Sequence, residues 1–172
     1  ILNNQIYGLT KGQASPTSPS GTKTKMTHRG TDVPPVNIAR LALASGATFV
    51  ARAHDKDGPL LEEVLLAAQN HRGAAFVEVL CNCVSFKDGA FQSLTDPAAQ
   101  AQSNLKLRAG QPMKFGLQSE KAIALCEGEF KVVEASSSDI LTHDPSNLKL
   151  SQLLVNIEFD QSPYPFGVLS VS

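Results

Sequence analysis

Two short segments hold most of the side chains able to do chemistry. The first, Asn3 to Gln13, reads NNQIYGLTKGQ. The amide oxygens of Asn3 and Asn4, with nearby backbone carbonyls, are hard donors that suit magnesium, which takes about six oxygen ligands near 2.1 Å and is often shared with a diphosphate. Gly8 and Gly12 let a backbone come close to a bulky ligand. A turn closed by side-chain caps would use the same residue types. The second segment, Cys81-Asn82-Cys83, follows an apolar run; in a parallel sheet, ligands gather in loops beyond the carboxyl ends of the strands. Cysteine there can equally be a small apolar residue. With three cysteines, Cys81, Cys83 and Cys126, the chain cannot complete a four-cysteine centre, so any iron–sulfur cluster needs ligands from elsewhere. A redox pair of Cys81 and Cys83 would lack the helix N-terminal setting that lowers a thiol pKa.

Other constellations are weak. His28, His54, His71 and His143 have no metal-ligand spacing, and no H-E-x-x-H, G-x-S-x-G or P-loop is present. His71 reads as a surface residue near a helix C-terminus, and His143-Asp144 as a turn before Pro145 rather than an acid–base pair. The 15 basic and 16 acidic side chains give a net charge of −1, which provides no long-range drive toward phosphate backbones, so nucleic acid is not an expected partner. No apolar run approaches the roughly 20 residues that span a bilayer, and no charged-then-apolar leader opens the sequence. The expectation is a chain that avoids the membrane and the secretory route. An odd, small number of cysteines fits the reducing cytoplasm.

The elements that must hold these segments can be read from periodicity. The 172 residues are 42% apolar, enough for one core of ordinary size. Ile1 to Gln13 reads as a strand emerging into a loop. Ala14 to Pro35, with four prolines and many Ser and Thr, lacks apolar periodicity and must lie over a surface, be disordered, or link domains. Pro35 to Gly46 suits a short helix, Thr48 to Ala51 a strand, and Gly58 to Gly73 a helix with Glu62 and Glu63 in its first turn. Ala74 to Leu80 suits a buried parallel strand. This order predicts an α/β layer arrangement. Beyond Cys83 the pattern changes: a hairpin turns at Glu127-Gly128, Ser146 offers an N-cap for a helix through Ile157, and Pro163 to Pro165 cannot be regular helix.

The whole-chain pattern resembles the β subunits of 2-oxoacid:ferredoxin oxidoreductases, in particular the 2-oxoglutarate or broad-specificity two-subunit type. NNQIYGLTKGQASPTSP (3–19) resembles the second half of that family's thiamine diphosphate motif and its Pro/Thr-rich loop. GATFVARA (46–53) and AAFVEVLCNCVSF (74–86) resemble its next two strands, and PMKFG (112–116), ILTHD (140–144) and PYPFGVL (163–169) its C-terminal extension. The resemblance implies an α/β fold: the second half of a thiamine diphosphate-binding parallel-sheet domain over 1–86, followed by a C-terminal α+β extension over 87–172.

It also implies roles. Asn4 matches a side-chain magnesium ligand and Ile6 one that binds through its backbone carbonyl, with Tyr7 and Gly8 alongside the cofactor. Leu9 and Lys11 match substrate-facing positions, where a cation would favour a dicarboxylate such as 2-oxoglutarate. A solvated loop lysine is the alternative. Cys83 matches one ligand of a [4Fe–4S] cluster, while Cys81 and Cys126 are expected to be structural thiols. The family's remaining magnesium ligand, an Asp in an upstream Gly-Asp-Gly, is absent from this sequence, and so are the other cluster cysteines. The chain is therefore expected to be part of a longer protein and inactive alone. Ser170 departs from the family, which often has Arg there. The implied reaction is oxidative decarboxylation of a 2-oxoacid with coenzyme A to acyl-CoA, carbon dioxide and reduced ferredoxin. The implied partners are the N-terminal part of the same β subunit, an α subunit and ferredoxin. A non-oxidative thiamine diphosphate enzyme half, which could dispense with Cys83, and a catalytically inactive interaction subunit are the rival readings.

Overall fold

The computed structural model describes residues 1–159 and 161–172. Short strands β1 (Leu2–Asn3), β2 (Ile6–Tyr7) and β3 (Gln13–Ala14) lead into a long loop and helix α1 (Ile38–Ala44). Strand β4 (Phe49–His54), helix α2 (Gly58–Asn70) and strand β5 (Ala75–Leu80) follow. Next come the short helices α3 (Gln92–Thr95) and α4 (Pro97–Ser103), then β6 (Asn104–Lys106), β7 (Lys114–Phe115), β8 (Lys121–Cys126) and β9 (Glu129–Glu134). Helix α5 (Leu148–Val155) and strand β10 (Tyr164–Val171) come last in the order.

The main sheet runs β1-β5-β4-β10-β6, with β1, β5 and β4 mutually parallel. Strand β10 lies antiparallel to β4, and β6 runs parallel to β10, so the α/β layering expected from sequence is borne out as a mixed sheet. A pleated strand with neighbours on both sides and layers on both faces has no exposed side, and all six residues of β4 are buried. One apolar cluster gathers Val50, Met113, Ile123, Leu154 and Leu169; another gathers Ala51, Leu60, Val64, Phe91 and Phe166. Among the described residues, no helix is long and apolar enough to cross a membrane.

Local chemistry sets the helix starts. Asn37 accepts from the N–H of Arg40 at the head of α1 and donates to the Val155 carbonyl at 2.8 Å, tying α1 to the end of α5. Asp57 caps α2 and takes Lys106 Nζ at 2.6 Å. Because α2 starts at Gly58, Glu62 and Glu63 lie beyond its first turn, where the helix dipole gains little from them. Asn147, not Ser146, caps α5; the Ser146 hydroxyl instead donates to the Asp144 carboxylate. The β8–β9 hairpin turns at Glu127-Gly128, both with positive φ, as a tight two-residue turn demands.

The tail, which the sequence marks only as non-helical, forms β10, a strand within the main sheet. Ser170 is buried beside an irregularity in the β10–β4 register. The Ala14–Pro35 loop folds back on itself: Gly21 N–H reaches Thr31 O at 2.7 Å, and Val36 N–H reaches Pro16 O at 2.8 Å. His71 is more than a surface residue, for its Nε2 lies 2.7 Å from Thr48 Oγ1.

Two histidines are buried. His143 donates from Nε2 to the Val168 carbonyl at 2.8 Å, and its Nδ1 has no partner among the described residues, which rules out the adjacent Asp144 as its acid–base mate. His54 Nδ1 accepts from the N–H of Lys56, and its Nε2 likewise has no partner among the described residues. Burial pushes both rings below the ordinary histidine pKa. Below the unfolded-state value near 6.5 the unfolded chain binds protons that the folded chain refuses, so stability is full above that pH and falls on acidification toward 5. The melting temperature should therefore drop by about 2–5 °C between pH 7 and 5. His143→Gln, which keeps a donor for Val168, should flatten that dependence in calorimetry.

Candidate active site at the ends of β1 and β5

Strands β1 and β5 are parallel neighbours, so the segments that leave them emerge at the same edge of the sheet. After β1 the chain turns sharply. Asn3 Oδ1 accepts the N–H of Gln5 at 3.2 Å, Asn4 Oδ1 accepts the N–H of Ile6 at 3.1 Å, and Gln5 takes φ 55°. Residues Ile6 to Ala14 then form a hairpin, with Ile6 paired to Ala14 and Tyr7 to Gln13. Its tip closes through Lys11 N–H to Gly8 O at 3.0 Å and Gly12 N–H to Tyr7 O at 2.9 Å.

The positions singled out in the sequence fall along this hairpin. Ile6 is buried, Asn4 and Gly8 are half-buried, and Tyr7 is 51% exposed. Leu9, 99% exposed, and Lys11, with φ 71°, stand at the tip. A hydrophobic side chain with no cover there gains nothing for this chain's own core.

The segment after β5 comes to meet the hairpin. Cys81 N–H donates to Asn3 O at 3.0 Å, and Cys83 Sγ lies 3.6 Å from where a Cβ on Gly8 would stand. The sheet thus brings the two segments together although α1, β4, α2 and β5 all intervene in the sequence. Asn82 pins the turn: its N–H reaches Asp55 Oδ2 at 3.2 Å, its Nδ2 reaches Asp88 Oδ1 at 2.7 Å, and its Oδ1 takes the N–H of Gly89 at 3.0 Å. Burial pushes the Cys81 thiol above its ordinary pKa, which keeps it protonated and suits a structural thiol. Cys126 lies on the separate β8–β9 hairpin.

The donor set can be tested against the groups the resemblance implies. Asn4 Oδ1 accepts one hydrogen bond from Ile6 and keeps a second lone pair, and the Ile6 carbonyl is a further hard oxygen, so the residues fit magnesium held against a diphosphate. No group of three or more His, Cys, Asp or Glu able to hold a metal occurs among the described residues. A Cys83 thiolate could therefore serve an iron–sulfur cluster only together with ligands from outside the described residues.

The sequence alone does not single out the buried polar residues behind the hairpin. Arg52 Nε and Glu78 Oε2 form an ion pair at 2.8 Å, and Asn3 Nδ2 donates to Glu78 Oε1 at 2.8 Å. The Arg52 guanidinium stacks 4.3 Å from the centroid of Tyr164 and donates to Pro165 O at 3.4 Å. Burial drives the Tyr164 hydroxyl far above its ordinary pKa, so the ring faces the cation as a neutral phenol. The signal in the sequence is an Arg in TFVARAH and a Glu in AAFVEVL, each interrupting an otherwise apolar strand. A cleft of about 520 Å³ opens beside them, lined by Asn3, Gln5, Thr17, Arg52, Glu78 and Tyr164 among others.

Residues 1–79 match the family described as thiamine pyrophosphate enzyme, C-terminal TPP binding domain. The chain is similar to the β subunits of 2-oxoacid:ferredoxin oxidoreductases, as its motifs implied. It is 44% identical over 147 residues to 2-oxoglutarate oxidoreductase subunit KorB of Mycobacterium tuberculosis, covering 84% of this chain and 39% of that protein. It is 50% identical over 88 residues to 2-oxoacid:ferredoxin oxidoreductase 1, subunit beta, of Aeropyrum pernix, covering 51% of this chain and 28% of that protein. The chain thus spans well under half the length of these relatives. A solved structure of 2-oxoglutarate:ferredoxin oxidoreductase from Magnetococcus marinus, with 2-oxoglutarate, coenzyme A and succinyl-CoA bound, shares the fold. Its TM-score is 0.68 at 23% identity, with 99% of this chain and 45% of that one covered.

Gly12 reports how tightly the two segments interlock. Its φ is 95°, and a Cβ there would sit 2.8 Å from Phe86 Cδ1. Gly12→Ala should cost about 1–2 kcal/mol in denaturant unfolding. Adding Phe86→Ala should recover the steric part of that loss and leave the backbone part.

Proposed function

We propose that this chain is the C-terminal part of the β subunit of a 2-oxoacid:ferredoxin oxidoreductase that oxidatively decarboxylates 2-oxoglutarate with coenzyme A. The observation that carries the reading is the closeness of Cys83 Sγ to the Gly8 turn. A cysteine against the hairpin that would hold thiamine diphosphate is where an electron-accepting cluster has to be anchored. A non-oxidative thiamine diphosphate enzyme has no use for a cluster ligand at that point. Against an inactive interaction subunit stands the intact oxygen-donor set of Asn4 and Ile6.

In this reading Asn4 Oδ1 and the Ile6 carbonyl hold magnesium, and Tyr7 and Gly8 border the thiamine diphosphate. The cofactor supplies the electron sink for decarboxylation, which no side chain of this segment can provide. What this chain contributes is position and charge. The buried Ile6 and the cross-strand pairs to Ala14 and Gln13 keep the oxygen donors at the strand end. Leu9 and Lys11 face the substrate from the hairpin tip, where the Lys11 ammonium pairs with the distal carboxylate of a dicarboxylic 2-oxoacid. Cys83 supplies one thiolate to a [4Fe–4S] cluster, whose other ligands come from the N-terminal part of the subunit. An α subunit and ferredoxin complete the partners, and the complex works in the cytoplasm.

The test is metal and cofactor analysis of the complete complex, together with 2-oxoglutarate-dependent reduction of a viologen dye. The expected result is about four irons and one thiamine diphosphate per protomer, with dye reduction that requires coenzyme A. Thiamine diphosphate without iron or dye reduction would establish the non-oxidative enzyme instead; neither cofactor would leave the interaction subunit. Lys11→Ala should raise the KM for 2-oxoglutarate about 10-fold while leaving that for pyruvate nearly unchanged. Equal effects on both substrates would sink the carboxylate pairing.

A further inference from the structure

Asn3 is adjacent to the proposed ligand Asn4, yet its side chain points to the protein interior and makes three hydrogen bonds. Nδ2 donates to Glu78 Oε1 at 2.8 Å, while Oδ1 accepts from the Gln5 N–H at 3.2 Å and from Thr17 Oγ1 at 2.8 Å. The second oxygen of Glu78 is taken by Arg52 at 2.8 Å. Arg52 in turn is fixed by the Tyr164 ring and the Pro165 carbonyl. Asn3, Glu78 and Arg52 are all at least nine-tenths buried, so their hydrogen bonds go mainly to protein partners. The last link is backbone. Gln5, held at φ 55° by Asn3 Oδ1, also has its carbonyl bound by Ser18 Oγ at 2.6 Å.

An asparagine amide can be turned either way round, and only one orientation serves the loop. If Oδ1 and Nδ2 exchanged places, an amide donor would face the Gln5 N–H. Glu78 forbids the exchange, because its carboxylate accepts and cannot donate. Arg52 holds that carboxylate in place through its second oxygen. We propose that Glu78, oriented by Arg52, is the positioning residue of the cation-binding turn: it selects the Asn3 orientation that holds Gln5 and thereby presents Asn4 Oδ1 and the Ile6 carbonyl to magnesium. This rests on the proposed role of Asn4 and Ile6. Outer partners that orient metal ligands are commonly worth about 10- to 100-fold in metal affinity.

Glu78→Gln is the direct probe. In Glu78 each oxygen serves one partner, Asn3 or Arg52, and a glutamine in the same pose would turn a donor toward one of them. Thr17→Val is the companion, because it removes one hydrogen bond to Asn3 Oδ1, along with one to Ser15 Oγ, and leaves both members of the ion pair in place. In the complete subunit complex, stripped of cofactor, the readouts are the magnesium concentration that half-saturates thiamine diphosphate binding in calorimetry, the melting temperature without cofactor, and amide hydrogen exchange at Gln5 and Ile6. The expected result is a rise of about 10- to 100-fold in half-saturating magnesium for Glu78→Gln and about 3- to 10-fold for Thr17→Val. Both variants should exchange the Gln5 and Ile6 amides faster, and Thr17→Val should lower the melting temperature by no more than a few degrees.

Unchanged magnesium dependence in both variants, with only a lowered melting temperature for Glu78→Gln, would overturn the proposal and leave the ion pair as a fold element. If Glu78→Gln does not fold, Thr17→Val decides alone by the same two readouts. If the parent complex binds thiamine diphosphate without magnesium, or not at all, the ligand assignment of Asn4 and Ile6 fails. Hydrogen exchange then decides whether Glu78 still sets the turn: faster exchange upholds the positioning, and unaltered exchange overturns it as well.

Discussion

The ion pair between Arg52 and Glu78 is the constraint around which the sheet is built. Each charge sits near the centre of an otherwise apolar strand, β4 or β5, and the two are directly paired in register. Taking both out of water costs several kcal/mol per ion, and the attraction repays it only when the remaining lone pairs and protons are also met. That requirement recruits Asn3 from β1 and Tyr164 and Pro165 from β10. The pair thus ties four adjacent strands together by side chains, and any shift of register between them would leave a charge uncovered. It is a device of specificity more than of net stability.

From that fixed centre the geometry of the site follows. Parallel pairing of β1 with β5 sends Asn3 to Gly12 and Cys81 to Phe86 out at one edge of the sheet. The hairpin of the first segment is held from below by its own asparagines and from the side by the Ser15–Ser18 turn. The second segment is held by Asn82. Asn3, Asn4 and Asn82 act alike, each substituting a side-chain amide for a missing backbone partner where the chain leaves regular structure. Gly12 then lets Phe86 come within contact distance of the hairpin backbone, and Cys83 stands near the Gly8 turn.

Much of this is legible in the sequence because the first half of the chain obeys strong periodicities. The helix over 58–70 and the strand over 75–80 are announced by Asp57-Gly58-Pro59, by leucines at helical spacing, and by an apolar run bounded by glycine and asparagine. The hairpin at Glu127-Gly128 is legible for the same reason, since its turn chemistry is local. Strand β10 is not legible as a strand, because prolines and a glycine mask its alternation, and its pairing is settled by β4, far away in the sequence. The buried ion pair is hidden for a related reason: Arg52 and Glu78 look like errors within apolar strands until the register sets them side by side. At the heads of α2 and α5 the sequence is ambiguous by a residue or more, since neighbouring polar residues compete for one cap and only Asp57 and Asn147 win it.

The place of β10 has a consequence for how the molecule is made. Residues 164–171 lie between β4 and β6, so one whole edge of β4 stays without hydrogen-bond partners until all the other strands of the sheet have been synthesised. An unpaired apolar edge of that kind is a template for wrong pairing with other chains. The nascent chain therefore carries its central strand half-finished through elongation, and the closing contact is one of high sequence separation, which is slow to form. Assembly of the sheet is a late event in the life of the polypeptide, and a chaperone that shields β4 during translation would act at the step where this fold is most exposed to aggregation.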